Sequence, residues 1–196
     1  MEVFRSPSPH ELYRHQLDAL NSYGSEVVVR GLRTKELLDV ATVIEKPDRR
    51  VHIVPGRWAN PFLALSEALH ILGGRHDVAS LLPYNKHILN FSDDGVDLYG
   101  AYGRRIKDQI PHILNRLRAD PNDRRAILSI WEDRDLDADT KDPPCNDIVA
   151  FKLREDRLYM TIFNRSNDLH WGLYAVNLPT FSILQEYLAA RLQVQL

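Results

Sequence analysis

Apolar residues recur along the chain with two spacings, one typical of helices and one typical of strands, which predicts a mixture of both. Apolar residues at helical spacing predict helices, and β-branched or alternating runs predict strands. The predicted helices cover residues 8–23, 60–74, 104–118 and 179–192, and the predicted strands cover residues 27–30, 37–44, 126–131, 148–153 and 158–163.

The second of these helices has the clearest limits. Asn60 is a favourable N-cap and Pro61 occupies the first helical position, where its missing N–H costs nothing. Gly73 and Gly74 end the apolar stripe. The stripe therefore predicts one amphipathic helix at this place.

The order of elements favours the α+β class. The strands at 148–153 and 158–163 flank the short polar turn Arg154–Arg157, which predicts an antiparallel hairpin. The regular β-α-β alternation of a parallel sheet is absent. We expect a mostly antiparallel or mixed sheet with flanking helices, in one three-layer domain over residues 1–196.

Composition narrows the class of partner. The net charge of −2 over 196 residues argues against nucleic acid or an anionic membrane as the partner. One cysteine excludes an intrachain disulfide and fits a reducing compartment. The first residues lack the apolar core of a signal peptide and no run is long enough to cross a membrane, so we expect a cytoplasmic protein.

The lone cysteine, Cys145, is a candidate nucleophile. It follows Pro143 and Pro144 and precedes a predicted strand, so the backbone would hold the thiol in a fixed place. The thiolate is the reactive form and needs positive charge nearby. The alternative is an inert cysteine packed in the core.

Two polar segments could bind an anion. Asn164–Asp168 follows the last predicted strand, and its Arg165 and Ser166 suit a phosphate, while its amides and carboxylate could read a base. Arg124 and Arg125 precede another strand and could also hold a phosphate. Solvated turns are the alternative for both segments.

One carboxylate lies on an apolar stripe. Glu67 has Leu63 and Ile71 four residues to either side. Burial there would suit it to proton transfer, whereas a residue at the helix edge would reach water. The eight histidines show no metal-ligand spacing, and we expect no metal site.

The order of these segments resembles thymidylate synthases and the related pyrimidine-nucleotide hydroxymethylases. The run PPCNDIVAFKL, a hairpin and the run NRSNDLHWGLYAVNLPTFSILQEYLA follow one another as in that family, and DPNDRRAILSIW, SEALHILGG and DLYGAYGRRI resemble its upstream segments. The resemblance extends from about Arg30 to the C-terminus.

The resemblance implies roles for individual residues. Cys145 would attack C6 of the pyrimidine, while Arg165 and Ser166 would hold the 5′-phosphate and Arg165 would favour the thiolate. Glu67 would organise water and protons near the base, and Tyr99 matches an active-site tyrosine.

Further roles concern the base and the folate. Asn177 would read the O4 and N3 edge of uracil, since its amide both donates and accepts; family members acting on cytosine often carry Asp there. Asp168 and Gly172 would contact the folate.

The family works as a homodimer, which implies a shared phosphate site. Arg124 and Arg125 would reach the site of the neighbouring subunit. Arg30 would be a further phosphate ligand, with Arg33 as the alternative.

The implied reaction transfers a one-carbon unit from 5,10-methylenetetrahydrofolate to C5 of a uracil nucleotide, converting dUMP to dTMP. The alternatives are 5-hydroxymethylation of dUMP, dCMP or CMP, and nucleotide binding without catalysis. Three departures from the family pattern bear on this choice. Asn146 replaces a histidine, one extra residue separates Gly172 from Asn177, and the ribose-binding His-x-Tyr segment and closing tail are not found before Leu196.

Overall fold

The structure is a computed structural model that describes residues 1–52, 54, 56–57 and 59–196. The elements, in chain order, are β1 (Glu2–Ser6), α1 (Pro9–Tyr23), β2 (Ser25–Val29), β3 (Leu32–Glu36), β4 (Val40–Ile44), α2 (Pro61–Leu72), a 3-10 helix (Lys86–Phe91), α3 (Tyr102–Ile106), α4 (Ile110–Ala119), β5 (Ile127–Ser129), a second 3-10 helix (Asp133–Asp135), β6 (Asn146–Arg154), β7 (Arg157–Asn164), a π-helix (Leu169–Asn177) and α5 (Leu178–Leu192). Helices and short sheets are mixed, and the α+β prediction is confirmed.

Three of the predicted helices form with the expected limits. The Ser8 hydroxyl accepts a hydrogen bond from Glu11 N at the start of α1. The Asn60 side chain accepts from the amides of Phe62 and Leu63 at the start of α2. These caps satisfy amide groups that have no partner within the helix. The helix α5 ends at Leu192 as predicted.

The predicted helix at 104–118 is wrong in one respect, because it is divided into α3 and α4. Pro111 lies at the first turn of α4. A proline lacks the N–H and clashes with the carbonyl four residues earlier, so a continuous helix cannot pass through it. The chain therefore turns at residues 107–109 and starts again at Ile110.

The strand prediction for residues 37–44 is wrong in its first part. Residues 37–39 form a turn in which Asp39 has a φ of 54°, and only Val40–Ile44 is extended. This strand, β4, pairs in parallel with β1, which sequence reasoning missed because five residues are too few to show a period.

The preceding hairpin also differs from the prediction. The strand β3 has the sequence LRTKE, whose polar character hides its pairing with β2. Arg30, expected at the end of a strand, lies in the turn between β2 and β3 with a φ of 51°. The reason is that Gly31, with a φ of 80°, completes a tight two-residue turn.

The central sheet has the antiparallel order β5-β6-β7. Glu155 and Asp156 connect β6 to β7 with φ values of 50° and 58°. Two residues with positive φ form the turn that matches the twist of an antiparallel hairpin. The predicted hairpin is confirmed.

The main core lies between the inner face of this sheet and the helices α4 and α5. Phe151 and Leu158 of the sheet and Phe181 and Leu184 of α5 are almost completely buried within it. A smaller cluster joins α1 to the π-helix through Leu12 and the buried ring of Tyr174.

A fully buried ion pair connects α3 to the loop after β5. Arg105 Nη1 and Nη2 donate to Asp135 Oδ2 and Oδ1 at 2.6 and 2.9 Å, and Arg105 Nη1 also donates to Ile130 O at 2.9 Å. Burial opposes ionisation of Asp135, but the Arg105 guanidinium outweighs it and lowers the pKa of Asp135 to about 2. Removing either residue would leave the other buried charge without a partner, which destabilises the fold.

None of the described helices is long and apolar enough to cross a membrane.

We expect Asp135→Ala to lower the free energy of unfolding by about 3–5 kcal/mol, because it leaves the Arg105 charge buried without a partner. Urea unfolding followed by circular dichroism measures this. The matched control is Asp133→Ala, at an exposed position in the same short helix, which should change stability by less than about 0.5 kcal/mol. Equal effects of the two changes would contradict the assigned role of the pair.

Candidate active site

Cys145 is half-buried and lies directly before the first residue of β6 and directly after two prolines. Prolines have no N–H and a fixed φ, so this loop cannot rearrange freely or satisfy its own carbonyls. The amide of Arg165, just past the end of β7, donates to Cys145 O at 3.1 Å. The thiol is thus held where the two central strands meet.

The side chain of Arg165 wraps around the same loop. Its Nε donates to Pro144 O at 2.8 Å and its Nη2 to Pro143 O at 3.2 Å. The same Nη2 lies 3.7 Å from Cys145 Sγ. An arginine has five N–H donors, and the two on Nη1 take no part in these contacts. The guanidinium therefore places positive charge at the sulfur and keeps donors for an anion.

Two carboxyl groups lie beside this loop. Burial raises the pKa of Glu67, and the nearby Asp142 raises it further, to about 7. Burial also raises the pKa of Asp142, to about 6, against the hydrogen bond that its Oδ2 accepts from Gly100 N at 2.8 Å. Both groups can thus exchange protons near neutral pH.

Tyr102 closes the inner side of the loop. Burial raises the pKa of its phenol, and the nearby Cys145 raises it further. The amides of Cys145 and Asn146 lie by its hydroxyl oxygen. Asn146 itself is completely buried, and neither polar atom of its amide has a partner among the described residues. Polar groups in this condition usually meet water or a ligand.

Tyr99 is held from two sides. Arg105 Nη2 donates to Tyr99 O at 3.2 Å, and the Arg105 guanidinium carbon lies 5.3 Å from the centre of the Tyr99 ring. The hydroxyl of Tyr99 donates to Arg134 O at 3.3 Å. The buried ion pair thereby fixes the position of this tyrosine.

The π-helix Leu169–Asn177 is capped at its N-terminus by Asp168. Asp168 Oδ1 accepts from the amides of Trp171 and Gly172, and Leu173 N donates to Asp168 O at 2.7 Å, five residues back. The wide π turn holds one residue more per turn than an α-helix can. Sequence reasoning missed this element, since its apolar pattern has no regular period.

Asn177 faces back toward the polar segment. Its Nδ2 donates to Asn167 Oδ1 at 3.0 Å. A Cβ atom at Gly172 would lie 2.6 Å from Asn167 Oδ1, so a larger residue there would displace the Asn167 side chain from Asn177. The extra residue between Gly172 and Asn177 is therefore contained in the π-helix, and Asn177, Asn167 and Gly172 stay adjacent.

Other predicted residues lie apart from the thiol. Arg124 and Arg125 precede β5, whose antiparallel pairing with β6 puts them at the opposite end of the sheet from Cys145. Arg30 is exposed at the tip of the β2–β3 hairpin. Ser166 is exposed beside Arg165.

The described part of the chain contains no group of three or more His, Cys, Asp or Glu side chains placed to hold a metal ion.

The structure adds residues that sequence reasoning passed over. Asp142 stands three positions before Cys145, and Tyr102 stands three positions after Tyr99, but neither has a period or motif that marks it. Trp131 contacts Arg165, whose guanidinium carbon lies 5.8 Å from its ring centre. Asn167 was read only as part of a polar string.

Comparison with known proteins settles the family. The sequence model described as "Thymidylate synthase" matches residues 18–196. The chain belongs to the thymidylate synthase family. The predicted family is confirmed, and with it the expected fold.

Two relatives from bacteriophages are named deoxyuridylate hydroxymethyltransferase. The protein of Bacillus phage SP01 is 38% identical over 100% of this chain and 55% of its own length. That of Pseudomonas phage M6 is 44% identical over 80% of this chain and 46% of its own. The chain thus spans about half the length of the curated thymidylate synthase-family relatives it matches first.

A solved structure supports the fold. Thymidylate synthase from T4 phage aligns with a TM-score of 0.61 and 24% identity, covering 72% of this chain and 56% of that one. At this identity the likeness concerns the fold alone.

We expect Arg165→Gln to slow alkylation of Cys145 by iodoacetamide at pH 7 roughly fivefold, the effect of losing one charge about 4 Å away in a water-like medium. Mass spectrometry of the labelled chain measures the rate. Lys152→Gln, which removes an exposed charge from β6, serves as the control and should leave the rate unchanged. An unaltered rate in Arg165→Gln would show that the guanidinium does not activate the sulfur.

Proposed function

We propose that this protein transfers a one-carbon unit to C5 of dUMP through a covalent bond between Cys145 and C6, with water completing a 5-hydroxymethyl product. The observation that carries the proposal is the 3.7 Å contact between Arg165 Nη2 and Cys145 Sγ, beside a half-buried carboxyl pair. A thiol, a cation and a proton carrier are the groups that this chemistry needs.

The first step is addition of the sulfur to the ring. C5 of uracil is a poor nucleophile, and thiolate addition at C6 makes it enolate-like. Arg165 would hold the 5′-phosphate through Nη1, with Ser166 beside it, so that the phosphate and the attacking sulfur are set by one side chain. This positioning would bring C6 within reach of the thiolate.

The next requirement is stabilisation of the charge that develops on O4. Asn177 would donate to O4 and accept from N3–H, since its amide offers both functions. Protonated Glu67 would give its proton to this oxygen, directly or through water, and become a carboxylate. Tyr99, fixed by Arg105, would contact the same site.

The co-substrate would be 5,10-methylenetetrahydrofolate: C5 would bond to its methylene carbon, loss of the C5 proton to a base would release tetrahydrofolate, and water would add to the methylene carbon before the Cys145 thiolate leaves C6. One oxygen of Asp168 caps the π-helix, and the other takes no part in that cap, so the carboxylate can accept from a bound pterin. Trp171, which is 47% exposed beside it, offers a ring for stacking, and Gly172 leaves room for close approach.

The hydroxymethyl product is favoured over the methyl product by two observations. Both phage relatives named above carry that activity in their names. The position after Cys145 holds Asn146, with an unpaired buried amide suited to hold water. A thymidylate synthase activity is the second candidate, favoured by a putative thymidylate synthase of Methanosarcina mazei, which is 26% identical over 98% of this chain and 82% of its own length.

Incubation with dUMP, UMP, dCMP or CMP and methylenetetrahydrofolate tests the reaction. We expect dUMP to gain one CH2O unit by product mass, and Cys145→Ala to lose at least about a thousandfold in turnover while keeping most nucleotide binding. A gain of one CH2 unit would instead establish the methyl product, and full activity of Cys145→Ala would refute the covalent route.

The active unit would be a homodimer. Alternate side chains put the apolar Ile127, Tyr159 and Phe163 on the outer face of the central sheet, where each is about half exposed. Single sheet faces of this kind are normally covered. Arg125 directly precedes Ala126, whose carbonyl oxygen accepts a hydrogen bond from Phe151 N. Six residues of strand, roughly 20 Å, separate Phe151 from Cys145. Arg125 would therefore contact the site of a partner chain.

Co-expression of two inactive variants tests the shared site. We expect Cys145→Ala and the double variant Arg124→Ala/Arg125→Ala each to be inactive, and their mixture to recover about a quarter of wild-type activity through one intact site per mixed dimer. Two chains that both carry Cys145→Ala are the control and should recover nothing. Absence of recovery in the first mixture would exclude arginines acting across the interface.

A further inference from the structure

The loop before Cys145 is attached to a distant part of the chain by one exposed carboxylate. Asp93 Oδ2 accepts a hydrogen bond from Thr140 Oγ1 at 2.6 Å, and Asp93 Oδ1 accepts from Lys141 N at 3.0 Å. Lys141 Nζ donates in the other direction, to Ser92 O at 3.2 Å. Both oxygens of Asp93 therefore bind the loop, and the loop in turn binds the segment that carries Asp93.

Asp93 lies in a turn whose own hydrogen bonds define its shape. The Ser92 hydroxyl, which is almost completely buried, donates to Asp97 O at 2.7 Å and accepts from Gly95 N at 2.9 Å. Asp94 Oδ1 accepts from Asp97 N at 2.9 Å. Side chains that bind the backbone of their own turn in this way hold it in one conformation. The turn thus presents the Asp93 carboxylate in a defined position.

This turn belongs to a lobe with a hydrophobic cluster of its own. The members of the cluster all come from the same stretch of chain, and they are Val78, Leu81, Ile88, Leu98 and Ala101. The main core between the central sheet and α5 is a separate cluster. Because the packing of the lobe does not depend on the loop before Cys145, the lobe can serve as a support for that loop.

The attachment reaches the thiol over a short and stiff path. Thr140 Oγ1 accepts from Asp142 N at 3.2 Å, and Asp142 Oδ2 accepts from Gly100 N, at the end of the lobe, at 2.8 Å. Only two prolines separate Asp142 from Cys145, and the proline ring fixes φ at each of them. A displacement of residues 140–142 would therefore be carried to the sulfur.

We propose that Asp93 is a positioning residue for Cys145, because its two hydrogen bonds to the loop keep the sulfur at its 3.7 Å contact with Arg165 Nη2. The inference rests on the proposed function, in which the thiolate attacks C6. Asp93 acts through the loop and is not itself a catalytic group. Arg165 binds the carbonyl groups of the two prolines, so the loop is held on both sides of Asp142.

Three variants separate the hydrogen bonds of Asp93 from its charge. Asp93→Ala removes the charge and both acceptors. Asp93→Asn removes the charge, but its amide oxygen can accept from Lys141 N and its amide nitrogen can donate to the Thr140 hydroxyl. Asp139→Ala is the matched control, since it removes an exposed charge directly beside Thr140. Asp93 is itself exposed, so none of these changes disturbs a core.

Alkylation of Cys145 by iodoacetamide at pH 7 measures the effect without turnover. We expect Asp93→Ala to slow it roughly threefold, because the sulfur is then less often beside the Arg165 guanidinium. Loss of a negative charge alone would favour the thiolate, so slower alkylation cannot come from the charge. Asp93→Asn and Asp139→Ala should keep the wild-type rate. In an Arg165→Gln background, Asp93→Ala should have no further effect, since the group that favours the thiolate is gone.

Turnover provides an independent measurement. We expect Asp93→Ala to lower kcat about tenfold, because a misplaced nucleophile reacts slowly. The dissociation constant for dUMP should stay within about twofold, since the phosphate is bound by Arg165 and not by the thiol. A general loss of structure would weaken nucleotide binding as well, so this division between kcat and binding distinguishes positioning from unfolding.

The two measurements also separate this inference from the proposed function. If the wild-type protein forms no product, the proposed function fails, and the alkylation rates alone decide the role of Asp93. Alkylation of Asp93→Ala at the wild-type rate or faster would overturn that role, as would an equal slowing with and without Arg165. A loss of the same size in Asp93→Asn or Asp139→Ala would also overturn it, because the effect would then not depend on the hydrogen bonds to the loop.

Discussion

The hydrogen bonds from Arg165 to the loop Pro143–Cys145 are the constraint on which the candidate site depends. Two consecutive prolines contribute no N–H donors, and the Arg165 guanidinium donates to the carbonyl oxygens of both. Because the same group lies at the sulfur, loop shape and local charge come from one side chain. A lysine at this position could supply the charge but not the planar set of donors.

The buried carboxyl groups of this protein have two different environments, one with a cationic partner and one without. Arg105 and Asp135 form an ion pair in the interior. Arg105 also donates hydrogen bonds to Ile130 O and Tyr99 O, so the pair connects α3 to the loop after β5. Glu67, near the cysteine, lacks such a cationic partner among the groups that shift its pKa, so it can hold a proton near neutral pH. A carboxyl group is thus ionised and paired in the first place, and in the second it has a pKa suited to proton transfer.

Much of the fold was predictable wherever a local signal agreed with the tertiary structure. Asn60, Pro61 and Gly73 mark α2 because capping is a local effect. The polar strand β3 was not predictable, since its pairing depends on β2 and not on its own pattern. For the site, Cys145 and Arg165 could be proposed as candidates from their local sequence, and the family resemblance added roles for them. The contact of Asp142 with Gly100 was not predictable, because it is made across the fold and no spacing along the chain reveals it.

The π-helix shows how a segment can hold more residues between two fixed ends than an α-helix would. One residue added to an α-helix rotates everything after it by about 100°, which would turn Asn177 away from Asn167 and misdirect α5. The nine residues of the π-helix have wider turns than an α-helix, and the helix that follows enters the core at Leu178 and Phe181. A residue added within this segment can therefore be absorbed before α5 begins, and the packing of α5 against the core need not change.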